Sequence, residues 1–364
     1  MSELQQRRAK IRELDEQILR LIAARTEQAK AIGAIKKSQA IPLRDWEVEK
    51  QVLERSAEVA SELGLPAELT RTVMQALIST SRAAQERTSY SAYQGSAEEI
   101  LIIGGLGKMG RWFADFFRNQ GHRIEIYDTQ ARVQEPALVS RLEAGLERAS
   151  CALIATPLEV VPQSIQRLVE LGYRGTVFDI ASLKGHLKPA IAAAREKGVS
   201  IASLHPMFGP GARTLSDEVV CSCDCGDTQA TQKVEGFFRD TAATLVKLSL
   251  EEHDRIVSHV LGLSHLINIL FTKVLTGSGL PYERLQEVGS TTFHSQMATT
   301  ATVIRENPEL YYAIQRHNPY TPELYAALKR GCDELTGWIL SGDREAFTAS
   351  MLAGRRWVNG DDAH

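Results

Sequence analysis

The sequence predicts a multidomain protein in which an α/β segment with a mostly parallel sheet lies between two all-helical segments. Residues 1–88 show helical periodicity only, residues 98–250 alternate short β-rich runs with helical stretches, and residues 251–364 are helical throughout. Residues 89–97 are small and polar, which is typical of a linker. At 364 residues the chain is also too long for one ordinary hydrophobic core.

The α/β segment contains seven short runs rich in β-branched and apolar residues. Their alternation with helical stretches is typical of βαβ units, whose strands pair in parallel and are covered by helices. The predicted strands are residues 100–104, 123–128, 151–156, 176–180, 199–204, 218–223 and 243–248.

The overall composition excludes several classes of protein. The chain is 43% hydrophobic and 24% charged, and its net charge of −3 predicts no general attraction to nucleic acid or to an anionic membrane. No unbroken apolar stretch approaches the ~18–20 residues that span a bilayer. The N-terminus is charged and helical, without an apolar signal core. A cytoplasmic location is therefore expected.

Three of the five cysteines, Cys221, Cys223 and Cys225, lie in DEVVCSCDC, which alternates like a strand. Alternation places their thiols on one face, where they pack as small hydrophobic groups. Zinc sites usually space their cysteines by at least two residues and need a second cluster. We therefore predict no metal site.

A glycine-rich turn joins the first predicted strand to an amphipathic helix. Its sequence is Gly105-Leu106-Gly107-Lys108-Met109-Gly110. Gly105 permits the tight turn, Gly107 lets the backbone approach a pyrophosphate, and Gly110 lets the helix pack closely on the strand. The N-terminus of that helix offers free N–H groups to the phosphates. The turn predicts a Rossmann-like, dinucleotide-binding domain.

The end of the second predicted strand distinguishes between the two nicotinamide cofactors. Asp128 lies about 20 residues beyond the turn, where a carboxylate binds the ribose hydroxyls. A carboxylate repels a 2′-phosphate, so NAD is favoured and NADP is less favoured. The nearby Arg132 weakens this preference.

Polar residues also follow later strands, at the sheet edge where open α/β sheets bind ligands. Thr156 and Pro157 follow the third strand and are predicted to contact the cofactor. Ser182 follows the fourth strand, and His205 ends the fifth. Their position beside a nucleotide turn favours a catalytic role over a structural one.

The segments IIGGLGKMG, FDIASLKG, LHPMFGPG and EHDRIVSHVLGLSHL together resemble the prephenate dehydrogenase family, over roughly residues 98–350. The resemblance implies that His205 hydrogen-bonds the ring hydroxyl of prephenate and takes up its proton while hydride leaves the same carbon for NAD. Ser182 would orient His205 or contact the same hydroxyl. His265 corresponds to a second active-site histidine, and His253 could equally be structural.

The sequence departs from this family where the substrate side chain is bound. Two arginines of the related two-domain enzymes correspond to His294 and Thr302 here. Arg305, one helical turn further on, could substitute. His294 and Gln296 could instead bind a different side chain, which leaves arogenate and the 4-amino analogues of chorismate and prephenate as alternative substrates.

The first helix is predicted over residues 4–37, and two cations, Arg25 and Lys36, fall on its apolar stripe. The stripe contains Leu14, Leu21 and Ile32. A cation on a core-facing stripe needs an anionic partner, which is either a carboxylate of another helix or a ligand.

Residues 4–88, through RRAKIRELDEQILRLIAAR, IGAIKK and IPLRDWEVEKQVLER, resemble the all-helical chorismate mutase family. The resemblance implies that Arg8 and Arg25 bind the two substrate carboxylates, Arg8 reaching into the site of a partner subunit in an intertwined homodimer. Lys36 and Gln85 would hydrogen-bond the ether oxygen as it gains negative charge.

Two i,i+4 pairs add to this predicted site. Asp45 and Glu49 would hold the ring hydroxyl, and Ser81 and Gln85 bring polar groups into a core-facing stripe. Val48 stands where the helical mutases usually have a further arginine.

Together the two resemblances imply a bifunctional enzyme that makes prephenate from chorismate and oxidises it for tyrosine synthesis. The alternative reading of residues 1–88 is a non-catalytic dimerisation or regulatory module attached to a monofunctional dehydrogenase.

Overall fold

The computed structural model describes residues 2–39, 46–89, 93, 95–130, 137–212 and 214–360, with backbone only for residues 37, 46 and 86–89. It divides into two compact units, Met1–His253 and Asp254–His364. The predicted strands and the predicted first helix belong to the first unit. The second unit is helical in the part of the chain that the structure describes.

The first unit contains a seven-stranded sheet. Its strands are β1 (Glu99–Ile103), β2 (Arg123–Tyr127), β3 (Cys151–Ile154), β4 (Thr176–Asp179), β5 (Ser200–Pro206), β6 (Val219–Asp224) and β7 (Thr244–Ser249). The strand order is β2-β1-β3-β4-β5-β6-β7, and all neighbours are parallel except β5 and β6. All seven predicted strands are confirmed, with ends within two residues.

Eight helices are described before the last strand of this sheet. They are α1 (Glu3–Ser38), α2 (Trp46–Glu62), α3 (Ala67–Ser89), α4 (Lys108–Asn119), α5 (Leu142–Leu146), α6 (Val161–Glu170), α7 (Lys188–Glu196) and α8 (Thr228–Arg239). The first three form a helical layer in which α1 and α2 both pack on α3.

The core of the sheet domain is built from strands buried on both faces and from phenylalanines of two helices. Phe113 and Phe117 of α4 and Phe237 of α8 are fully buried. Phe116 stacks on Phe238 with ring centroids 5.1 Å apart. The i,i+3,i+4 spacing in α4 directs these rings to one face, so the helix is fixed against the sheet immediately after the glycine-rich turn.

The apolar stripe of α1 is exposed in the single chain, which corrects the prediction that it faces a core. Leu14, Leu21 and Ile32 are 47%, 69% and 47% exposed. At 1.5 Å per residue, the 36-residue helix is about 54 Å long, whereas the 23-residue α3 is about 35 Å long. The helix therefore extends beyond the helix that covers it.

The remaining helices continue to the end of the described chain. They are α9 (Leu250–Val257), α10 (Ser264–Gly277), α11 (Tyr282–Glu287), α12 (Thr291–Ile304), α13 (Pro308–His317), α14 (Thr321–Ser341) and α15 (Arg344–Asn359). A π-helical segment, Ser258–Leu263, connects α9 to α10.

The helical run Leu250–Gly277 is, by length and composition alone, long and apolar enough to cross a membrane. The sequence contains no unbroken apolar stretch there because histidines and serines interrupt it. His253, Ser258 and Asn268 are buried within the run. Helices that pack inside proteins pass the same test, so the absence of a membrane partner stays a prediction.

The cysteines of β6 are placed as the strand pattern predicts. Cys221 and Cys223 lie in β6, Cys225 follows it, and all three are buried. Among the described residues, no group of three histidine, cysteine or acidic side chains is arranged to hold a metal.

We predict that Gly110→Ala destabilises the sheet domain by about 1–3 kcal/mol, the usual cost of overpacking. A Cβ at Gly110 would lie 2.5 Å from the Gly104 carbonyl oxygen and 2.6 Å from the Gly105 Cα, both backbone atoms that cannot move aside easily. Urea unfolding of the full chain measures the effect.

Gly107→Ala is the matched control, because its Cβ would meet only the Gly104 oxygen, at 3.3 Å. We expect it to unfold at nearly the wild-type urea concentration. Equal destabilisation by the two substitutions would contradict the packing explanation.

Candidate active sites

The glycine turn (residues 104–110) lies at the carboxyl end of β1, where the strand order reverses between β1 and β3. The residue with a left-handed backbone is Gly104, with φ of +81°. A Cβ there would lie 2.8 Å from the Ala155 oxygen. Gly105 is required for a different reason than predicted: its Cβ would lie 2.7 Å from the Ile126 side chain.

The helix after the turn is open to an anion. Gly107 is the N-cap of α4, and no side chain caps that end of the helix. Since the first N–H groups of a helix have no intrahelical acceptor, those that follow Gly107 can bind phosphate oxygens. The turn brings Leu106, Lys108 and Met109 to this end of the helix.

Asp128 follows β2 and holds the glycine turn. Its Oδ2 accepts a hydrogen bond from the Leu106 N–H at 3.1 Å, and its Oδ1 accepts from the Gln130 N–H at 2.9 Å. The half-buried carboxylate keeps further lone pairs for ribose hydroxyls. Arg132 lies outside the described residues.

Thr156 lies beside the glycine turn, its backbone nitrogen 3.0 Å from where a Gly104 Cβ would stand. Its Oγ1 is buried and has no hydrogen-bond partner among the described residues. A buried hydroxyl without a partner is costly, so a ligand at this edge would satisfy it. Pro157 follows and is exposed.

The most distinctive feature of the sheet edge is a pair of buried histidines. His205, near the end of β5, is 4% exposed, and His253 of α9 is fully buried. The Nδ1 of His205 is hydrogen-bonded to the Nε2 of His253 at 2.8 Å. Nε2 of His205 has no hydrogen bond to any residue that the structure describes.

The surroundings of His205 favour its neutral form. Burial lowers the pKa of its imidazole well below 6.5, and the neighbouring His253 and Lys184 lower it further. Lys184 is itself fully buried, and its Nζ donates to the Asp179 Oδ1 and to the Leu204 carbonyl oxygen, both at 2.7 Å. A neutral imidazole can accept a proton at physiological pH.

Sequence reasoning missed the roles of His253, Lys184 and Asp179. Among the described residues, His253 makes the hydrogen bond to the His205 imidazole and Ser182 makes none to it, while the role of Ser182 stays a prediction. Ser182 is half-buried on the loop after β4. The motif FDIASLK contained Asp179 and Lys184, and their spacing across a turn was the available signal.

The second unit contains the other histidines that the sequence singled out. His265 of α10 is buried and stacks on Tyr311, with ring centroids 4.0 Å apart and planes 8° apart. Burial lowers the pKa of His265. Tyr311 also lines a cavity of about 940 Å³ within this unit.

Gln296 of α12 is hydrogen-bonded to Asn268, which lies three residues after His265 in α10. Its Nε2 donates to the Asn268 Oδ1 at 2.9 Å, and the Thr300 hydroxyl donates to the same oxygen at 2.6 Å. His294 bonds the Gln286 side chain at 3.2 Å and is exposed, as is Arg305 at the end of α12. Of the residues predicted to bind the side chain of the substrate, Gln296 belongs to a partly buried hydrogen-bond network.

The helical layer of the first unit encloses a cavity of about 420 Å³. Five of the predicted mutase residues line it: Arg25, Lys36, Glu49, Ser81 and Gln85. Arg8 is exposed and is not part of this lining, and Asp45 lies outside the described residues.

Arg25 is directed at α3, where its described partners are a backbone oxygen and a hydroxyl. Its Nη1 donates to the Leu77 carbonyl oxygen at 2.7 Å and to the Ser81 hydroxyl. Within the described part of the chain it forms no ion pair, so the salt-bridge alternative for Arg25 is not supported. Its charge remains available to a ligand in the cavity.

Three family models match successive parts of the chain. The model of the family "Chorismate mutase type II" matches residues 7–86. The models for the nucleotide-binding and dimerization domains of prephenate dehydrogenase match residues 113–247 and 249–353. The glycine turn lies just before residue 113, where the match to the nucleotide-binding model begins. The turn directly follows β1, so the fold assigns it to the nucleotide-binding domain as well.

Individual proteins are similar over the same parts. The T-protein of Enterobacter agglomerans is 26% identical over 363 residues, covering 100% of this chain and 95% of that protein. A chorismate mutase of Methanocaldococcus jannaschii is 35% identical over 80 residues, covering 22% of this chain and 81% of that protein.

The fold is also shared with a solved structure. The prephenate dehydrogenase of A. aeolicus, in complex with hydroxyphenyl propionate and NAD+, has a TM-score of 0.60 and 17% identity. The match covers 74% of this chain and 100% of that one. With a helical mutase segment, a nucleotide-binding sheet and a helical C-terminal domain in one polypeptide, the chain belongs to the bifunctional chorismate mutase–prephenate dehydrogenase family.

Proposed function

We propose that the chain rearranges chorismate to prephenate in the α1–α3 cavity and then oxidatively decarboxylates prephenate to 4-hydroxyphenylpyruvate with NAD. The observation that carries the dehydrogenase half is the buried His205–His253 pair on the same sheet edge as the glycine turn. Three strand spacings, about 14 Å, separate β1 from β5.

His205 acts as the base in this proposal. In the tautomer that this role requires, Nδ1 carries the proton and donates to the His253 Nε2, so the Nε2 of His205 is unprotonated and able to accept the ring-hydroxyl proton of prephenate. The hydroxyl oxygen becomes a ketone as hydride leaves its carbon. Loss of carbon dioxide then aromatises the ring. The bound nicotinamide supplies the hydride acceptor. Ser182, on the loop after β4, would contact the same hydroxyl.

The residues that would hold NAD are those of the sheet edge. The glycine turn and the open end of α4 fit a pyrophosphate, and the unpartnered Thr156 Oγ1 fits a further cofactor contact. Asp128 favours NAD over NADP because its carboxylate repels a 2′-phosphate.

The mutase half is supported by the charges that line the helical cavity. Arg25 and Lys36 match a substrate with two carboxylates and an ether oxygen that gains negative charge. The rearrangement needs no nucleophile or proton transfer, so the cavity works by selecting a folded conformer and stabilising developing charge. Gln85 and Glu49 would contact the ether oxygen and the ring hydroxyl.

A homodimer completes this proposal. Leu4, Ile11 and Ile18 of α1 are more than half exposed in the single chain, and the C-terminal family model describes a dimerization domain. A second copy would cover these surfaces and supply Arg8 to the cavity. We place the enzyme in the cytoplasm, acting on small-molecule substrates only.

We expect chorismate plus NAD to yield NADH, and Arg25→Ala to abolish this signal while leaving the NADH rate with prephenate unchanged. The loss follows because a substrate carboxylate loses its cation. Stopped assays with chorismate and prephenate as separate substrates measure both rates.

Unchanged chorismate turnover in Arg25→Ala would support a non-catalytic N-terminal module instead. NADH produced only from arogenate or from a 4-amino substrate would contradict the choice of prephenate.

We expect kcat/KM for prephenate to stay constant as pH falls through 6.5 and to decrease only at lower pH. The decrease lies at low pH because the pKa of His205 is lowered: the base stays unprotonated until the pH falls below that pKa. His205→Asn should reduce the rate by roughly 10²–10⁴-fold and abolish this acid limb. A wild-type acid limb centred at 6.5, or one that persists in His205→Asn, would contradict the assignment.

We expect an equal mixture of unfolded Arg8→Ala and Arg25→Ala chains, refolded together, to recover about one quarter of wild-type mutase activity. Half of the dimers would be mixed, and each mixed dimer would contain one intact site of its two. Refolding each variant alone is the control. No recovery in the mixture would show that Arg8 does not serve the partner subunit.

A further inference from the structure

The mutase cavity contains a third cation to which the proposed mechanism gives no role. Arg82 of α3 lines the cavity together with Arg25, Lys36 and Glu49. Its side chain is 12% exposed. Its Nη1 donates to both oxygens of the Glu49 carboxylate, each at 3.1 Å.

The other terminal nitrogen of Arg82 connects the helical layer to the sheet domain. Nη2 donates to the carboxylate of Asp217, two residues before β6. The Ser79 hydroxyl also donates to Asp217, at 3.4 Å. Among the described residues, Asp217 is the only non-glycine residue with a positive φ, at 69°. Such a conformation is strained and persists where its surroundings hold it in place.

The guanidinium of Arg82 still has hydrogen-bonding capacity. Its Nε is buried and has no acceptor among the residues described. Each terminal nitrogen donates to both oxygens of one carboxylate, so Nε is the nitrogen whose N–H is left over. Because a buried N–H without an acceptor is costly, a carboxylate from a ligand would stabilise this group.

Val48 lines the same cavity and lies next to Glu49 in α2. Val48 is uncharged, so α2 places no cation next to the Glu49 carboxylate at that position. The proposed substrate of this cavity carries two negative charges. Arg82 contacts Glu49 from α3 and offsets the negative charge of that carboxylate in the same part of the cavity.

We propose that Arg82 binds a substrate carboxylate in the mutase site, and that Asp217 of the nucleotide-binding domain holds it in position. Arg82 then supplies the charge that Val48 lacks, and the mutase site is incomplete without the sheet domain. This inference rests on the mutase function proposed above.

The test uses the full-length enzyme and Arg82→Gln. We expect the KM for chorismate to rise roughly tenfold to a hundredfold, as for the loss of a hydrogen bond to a charged group. Affinity for a bicyclic dicarboxylate that resembles the transition state should fall by a similar factor. The NADH rate with prephenate should not change, which shows that the variant is folded. Arg71→Gln, on an exposed part of α3, is the control for loss of charge and should match wild type.

Two further variants separate substrate binding from a structural bridge. In the double variant Val48→Arg with Arg82→Gln, the KM for chorismate should return to within about threefold of wild type. Asp217→Asn should raise that KM in the same direction as Arg82→Gln, since it removes the charge that holds the guanidinium.

A wild-type KM in Arg82→Gln would overturn the inference. So would a raised KM that Val48→Arg does not restore, combined with a lowered unfolding temperature, since this is the behaviour of a domain bridge. A wild-type chain that turns over prephenate but not chorismate would overturn the proposed mutase function, and this inference with it.

Discussion

The parallel pairing of β1, β3, β4 and β5 is the constraint on which the dehydrogenase site depends. Strands buried on both faces satisfy their polar backbone groups within the sheet and leave no place for polar chemistry along their length. Chemistry is therefore confined to the points where strands end, and parallel strands end at one edge. Gly104, Thr156, Asp179 and His205 come from four separate stretches of sequence, and the sheet brings them to that edge.

The ion pair beneath this edge is better explained by function than by stability. Lys184 and Asp179 are 0% and 1% exposed, and removing two charges from water costs as much as their attraction returns, or more. The Lys184 Nζ also bonds the carbonyl of Leu204, the residue before His205. The pair thus fixes the end of β5, and its cation helps to keep the His205 imidazole neutral. A hydrophobic pair of equal volume would pack there, but it would neither fix the end of β5 nor lower the pKa of His205.

The strands and the glycine turn could be predicted from the sequence, because they depend on local residue patterns. Contacts between residues far apart in the chain could not. Short runs of β-branched and apolar residues located the seven strands that the structure describes, and the glycine spacing located the turn. The left-handed residue proved to be Gly104, since backbone dihedrals depend on how the turn meets Ala155. His253 pairs with a residue 48 positions away, and Arg82 with one 135 positions away. No local period contains such information, so these partners appear only in three dimensions.

The length of α1 bears on its exposed apolar stripe and on the proposed homodimer. Helical periodicity extends over 36 residues, but it does not show how much of the helix is covered. Arg8 and Arg25 are seventeen residues apart, so about 26 Å of straight helix separates them. No arginine side chain spans that distance. Arg8 therefore cannot serve the cavity that its own Arg25 lines, and an antiparallel partner helix can place it there. The same pairing would bury the exposed apolar stripe, so substrate binding and burial of apolar surface favour one assembly.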